Sequence, residues 1–162
     1  MPDTTASRHT IVVSALAVST ALDLFELVAA STRKVKIREV RVAQYSDAGD
    51  SQAEILPIQL IRGYTTPGSG GSTPTPANVV SGGRAAVASV AAGNTTLASG
   101  GSPEVLVADG WNVAAGWLWN PLVDEFIVLA AGESLVVRIP SAPEDELTIN
   151  ATVLFEEEGI VS

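Results

Sequence analysis

Apolar and polar positions alternate along most of the chain. Leu147, Ile149, Ala151, Val153 and Phe155 alternate with Thr148, Asn150, Thr152 and Leu154, the period of two that marks a strand with one buried face. Leu135, Val137 and Ile139 repeat the pattern upstream. The run between them, 140–146, holds two prolines and an acidic cluster and suits a surface connection. Residues 53–62 predict a strand with Leu56, Ile58 and Leu60 inward. Pro57 within it cannot donate to a ladder, which suggests an edge position or a bulge.

Two stretches add detail to that rule. Residues 34–44 alternate with a slip of phase: Val35 and Ile37 share one parity, Val40 and Val42 the other, and Arg38-Glu39 stands at the change. A β-bulge there would turn all four inward. From Trp111 onward, Trp111, Val113, Ala115, Trp117 and Trp119 share one parity, which predicts a single strand carrying all three tryptophans on one face. Helical composition is confined to 14–30 and 85–92. The valines in both favour strands, because β-branched side chains lose rotamer freedom in a helix.

Short strands separated by Gly, Pro, Ser and Asp clusters predict an all-β, single-domain antiparallel β-sandwich with long Gly/Ser/Pro-rich loops. The domain is expected over 11–158. A polar N-terminal arm, 1–10, precedes it and a tail, 159–162, follows. Residues 65–77 hold no apolar side chain larger than Ala or Pro and read as a long surface loop within the domain.

Composition then narrows the chemistry. In 162 residues there is no Cys and one His, and 9 Lys+Arg stand against 18 Asp+Glu, a net charge of −9. Thiol catalysis, disulfides and Cys-ligated metals are excluded. His9, read as part of the polar arm, cannot build a multi-histidine zinc site or a histidine triad alone. The acidic balance argues against nucleic acid as a partner, since phosphate binding needs clustered Lys and Arg. The apolar run from Ile11 is interrupted by Asp23 and Glu26 before it reaches the length of a membrane span.

Motifs add little. Gly68-Ser69-Gly70-Gly71 lacks the lysine of a phosphate loop, no nucleophile elbow exists, and no cofactor is expected. Asp47-Ala48-Gly49-Asp50 offers hard oxygen ligands without calcium-loop spacing, and a turn needs the same residues. Charge placement is more informative. Arg33, Lys34, Lys36, Arg38 and Arg41 fall within nine positions. They form either a solvated strand face or a basic stripe meeting an acidic surface, Glu144-Asp145-Glu146 or Glu156-Glu157-Glu158 of a neighbouring copy. Trp111, Trp117 and Trp119 fill a core, anchor an interface, or offer a carbohydrate platform.

Several segments together resemble the jelly-roll head decoration, or cement, proteins of tailed bacteriophages. They are Leu22-Asp23-Leu24-Phe25-Glu26-Leu27, the strand and turn from Val40 to Asp50, Asn94-Thr95-Thr96-Leu97-Ala98, Gly110-Trp111-Asn112-Val113, Ala131-Gly132-Glu133-Ser134-Leu135, and the strand ending Phe155-Glu156-Glu157. The resemblance implies a jelly-roll-like fold and a non-enzymatic virion protein on the outer surface of the capsid. Its partners would be the major capsid protein and its own copies, as a homotrimer. It transfers no individual binding residue. A receptor- or glycan-binding jelly roll of a fibre or tail, using 65–77 or an exposed tryptophan, is the alternative.

Overall fold

The computed structural model describes residues 6–45 and 54–159. Eleven strands form among them: β1 (Ser7–Val18), β2 (Leu22–Val28), β3 (Arg33–Gln44), β4 (Ile55–Arg62), β5 (Ala77–Asn78), β6 (Ser89–Asn94), β7 (Glu104–Asn112), β8 (Trp117–Trp119), β9 (Ile127–Leu129), β10 (Ser134–Ile139) and β11 (Leu147–Gly159). The first sheet runs β5-β1-β11-β3-β8, with β9 also on β3. The second runs β6-β2-β10-β4-β7, and every pairing is antiparallel. The chain is thus the expected all-β antiparallel sandwich.

Pairing follows a simple order. β1 pairs with β11, β2 with β10, β3 with β8 and β9, and β4 with β7, so the first strands meet the last ones in reverse. The connections 19–21, 113–116 and 140–146, with the end of β3 and the start of β4, consequently gather at one end. Between the sheets lie Trp111, Phe25, Phe155, Ile11, Leu24, Ile37, Ile58, Leu60 and Leu129, all buried. Each contributes about 1.5–3 kcal/mol by leaving water.

The phase slip in β3 is a bulge. Leu154 faces Glu39 and Phe155 faces Ile37, leaving Arg38 as the extra residue. Val35, Ile37, Val40 and Val42 are all buried as a result. Residues 14–18 and 22–28 lie in β1 and β2 and 89–92 open β6, while 85–88 belong to no strand or helix, so neither ambiguous stretch is helical.

Three expectations need correction. The arm reading fails for Ser7–Thr10, which belong to β1 and pair with β11; His9 shares parity with Ile11 and Val13, faces Phe155 and is fully buried. The tryptophans do not share a strand. β7 ends at Asn112, Gly116 at φ +76° donates its N–H to the Asn112 carbonyl, and β8 restarts in the other sheet. Pro57 lies in an internal strand, but β10 pairs only with Gln59–Arg62, so the proline sits past that ladder.

Segment 65–77 is not a free loop. Thr66 pairs with Ser99, Ser69 with Thr96 and Ser72 with Ala92, each through two reciprocal backbone hydrogen bonds of 2.8–3.0 Å. A Cβ at Gly71 would lie 2.1 Å from the Ala92 carbonyl oxygen, and one at Gly68 would lie 2.6 Å from that of Thr96. Glycine is therefore required for this approach. With residues 94–99 the segment forms a strap over the outer face of the second sheet, where Ile61 and Val136 are buried outside the inter-sheet core.

Candidate interaction surface

Cross-strand register places Asp23 and Gln59 on either side of Arg138, and Glu26 and Ile61 on either side of Val136, all beneath the strap. The buried Asp23 carboxylate accepts from Arg138 Nε at 2.6 Å, Arg138 Nη2 at 3.1 Å and the Ala98 N–H at 2.6 Å. Arg138 also donates to the Tyr64 hydroxyl and the Ala98 carbonyl, both at 2.8 Å. Glu26 accepts from the Gly68 N–H at 2.9 Å and the Asn94 amide at 3.2 Å, and burial pushes its pKa up. The Arg138–Asp23 bonds join β10 to β2, and the bonds to Gly68, Asn94 and Ala98 tie the strap to the sheet, so the cluster clasps.

Among the described residues, no strap of this kind crosses the outer face of the first sheet. On it the basic stripe meets its acids within one chain. Arg8 and Arg38 both reach Glu156, at 3.2 and 2.9 Å, Lys36 reaches Glu158 at 2.5 Å, and Arg41 pairs with Glu39. The expectation that 156–158 serves a neighbouring copy is thereby corrected: β3 and β11 are adjacent, and their register brings the two runs together. Such part-exposed pairs contribute little stability each and chiefly fix register. Lys34 is exposed beside them, and Arg33 is half-buried at the start of β3.

At the end of β1 a cavity of about 560 Å³ is lined by Ser7, Arg8, Asn78, Val80, Arg84 and Glu156. The Asn78 side chain braces its lining, donating to the Arg84 carbonyl and accepting from the Val80 N–H, both at 2.7 Å. Behind the cavity, Glu157 is fully buried and accepts the N–H groups of Val87 and Ala88, at 3.0 and 2.7 Å, which fastens 79–88 over the end of the sheet.

His9 lies against this carboxylate. Burial pushes its pKa below the ordinary imidazole value, with Glu157 opposing and Arg84 reinforcing the shift. Ser7 Oγ at 2.8 Å and Glu157 Oε2 at 3.7 Å both stand at Nε2, and Nδ1 has no hydrogen-bond partner. A nucleophilic relay needs the serine on one ring nitrogen and the carboxylate on the other. Here Arg84 Nη2 donates to Ser7 Oγ at 2.6 Å, so the serine hydroxyl is part of a packed network.

Trp111 is fully buried in the core. Trp117 and Trp119 are half-buried, and Trp117 Nε1 donates to Asp109 at 3.0 Å, joining β8 to β7. The structure brings Lys36, Arg38 and Arg41 onto one face and leaves Trp111 remote from it. Sequence reading missed Arg8 and Arg84 and took Glu157 for part of an acidic surface, whereas it is buried; the shared parity of His9, Ile11 and Val13 was the available signal for this end of the sheet. Among the described residues no group of three or more His, Asp or Glu is placed to hold a metal ion; Asp47 and Asp50 lie outside them. No helix there is long and apolar enough to cross a membrane. Comparison with protein-family models, curated proteins and solved structures finds no match to this chain.

Proposed function

We propose that this chain is a non-enzymatic structural protein of a tailed-phage virion, a jelly-roll decoration or cement protein docking on the outer surface of the capsid. Its partners in this reading are the major capsid protein and its own copies, as a homotrimer. The strand order, with β1, β2, β3 and β4 paired to β11, β10, β8/β9 and β7, supports the jelly-roll description, an architecture that capsid proteins use.

One observation carries the reading: the two outer faces are treated oppositely. The second sheet is wrapped by the chain's own strap, whereas the first presents a broad face of ordered, part-exposed charges. A face of that kind suits docking, where charge sets orientation more than affinity. Cementing then needs only a modest gain per copy, added over the lattice. Capsids with and without the protein should differ in survival of thermal or osmotic challenge, and equal survival removes the proposal. Lys34→Glu with Lys36→Glu should lower occupancy in a salt-dependent way.

A glycan-binding reading has one observation in its favour. Trp119, Phe126 and Pro121 line an open groove of about 450 Å³ with Arg62 and Glu125 at hand, an aromatic surface with polar neighbours. Binding of the isolated chain to a glycan array, abolished by Trp119→Ala, would select it.

A further inference from the structure

One edge of the sandwich is long and bare. The second sheet ends in β6 and β7, and β6 is covered, since Ser72 of the strap exchanges two backbone hydrogen bonds with Ala92. In the first sheet β1 is flanked by β5, and β8 and β9 are strands of only three residues. β7 runs for nine residues, pairs with β4 alone among the described residues, and is exposed except at Val107 and Trp111. It holds none of the Lys or Pro residues that blunt such edges. Its Asp109 is already occupied by Trp117 Nε1 and by the Gly110 N–H, an amide that turns to a side chain where an interior strand would offer a neighbour.

Beside this edge lies the groove of about 450 Å³. Leu60 faces Val107 and Ile61 faces Val105, so Leu106 is the extra residue of a bulge, and it lines the groove with Val107, Trp119, Phe126 and Val128. The charges around the groove are mostly acidic. Glu104, Asp124 and Glu125 are exposed, Arg62 is bound to Glu104 at 2.6 Å, and Arg38, stacked on Phe126, is bound to Glu156 at 2.9 Å. A second copy would bring the same acids to this edge and is a poor occupant.

We propose that the β7 edge takes an extended segment of another protein as an added strand, with apolar side chains seated in the groove and Lys or Arg residues beside Glu104, Asp124 and Glu125. Backbone hydrogen bonds to a bare edge supply affinity, and the side chains at every second position supply choice. A glycan in the same groove would use Trp119 and leave the bare strand without a role. β7 belongs to the second sheet, so this site goes beyond the docking face of the first sheet and can fail without it.

Titration of the purified chain with a synthetic peptide of about eight residues, alternating Lys and Val, tests the site by calorimetry and by hydrogen exchange along β7. The peptide should bind, slow exchange at Ala108 and Gly110, and lose affinity as salt rises. A peptide alternating Glu and Val should bind about tenfold more weakly. Leu106→Lys should weaken the Lys–Val peptide about tenfold, as should Asp124→Lys/Glu125→Lys, whose exposed positions keep the test open if Leu106→Lys fails to fold. Absence of binding, equal binding of the two peptides, or unchanged exchange along β7 in the complex overturns the inference. So does exchange at Ala108 and Gly110 that slows with protein concentration alone, which makes a second copy the occupant, or capture of a glycan in place of the peptide.

Discussion

Asp23→Ala removes the acceptor for two Arg138 nitrogens and for the Ala98 N–H at a site where the aspartate is fully buried and the arginine side chain is 11% exposed. Breaking a buried pair from one side costs about 3–5 kcal/mol, because the remaining charge stays dehydrated. That is a large share of the roughly 5–15 kcal/mol that holds a domain. Arg138→Met alone leaves Asp23 with one N–H donor and should cost about 3 kcal/mol by the same reasoning. The double variant leaves no orphan charge, so its loss should fall short of the sum by about 2 kcal/mol. Urea unfolding followed by the fluorescence of buried Trp111 measures all four species. Losses that add within about 0.5 kcal/mol, or an Asp23→Ala cost below about 1 kcal/mol, would refute the clasp.

Gly71→Ala should lift the strap from β6, break the Ser72–Ala92 pair at a cost of about 1–3 kcal/mol and speed hydrogen exchange at both amides; unchanged protection would show that the strap is not pinned there. His9 has a folded pKa below its unfolded value, so the unfolded chain binds the proton first and stability falls as pH drops below about 6.5. The melting temperature of wild type should therefore decline between about pH 7 and 5.5, and His9→Gln should flatten that decline. Glu26, pushed up by burial, has the opposite sign: its contribution is present at low pH and lost as pH rises, so Glu26→Gln should be tolerated at neutral pH. Trp111→Phe should cost about 1–3 kcal/mol through packing alone, since its Nε1 has no hydrogen-bond partner; a smaller loss than for Trp117→Phe would contradict the placement of the two rings.

Side-chain parity made much of the sandwich legible. The bulge at Arg38 announced itself because four valine and isoleucine residues demanded the same face, and β10 and β11 followed from simple alternation. Parity failed where the chain changed sheets without changing phase: the turn before Gly116 keeps Trp111 and Trp117 in step although they belong to different layers. It also misled at the N-terminus, where Arg8 and Thr10 made His9 look solvated although its own face was apolar. The strap was illegible because backbone groups hold it to its neighbours, and glycine and serine give no periodic signal for such bonds. The cavity likewise joins Arg8 to Arg84, which only the pairing of β1 with β5 brings together.

The docking role is tested most directly by imaging purified particles that carry this protein. Density for the sandwich should appear as symmetric trimers on the outer shell, with the open face of β1, β11 and β3 buried against capsid or neighbouring copies. Particles that hold the protein inside the shell, or with that face turned to solvent, would contradict the account.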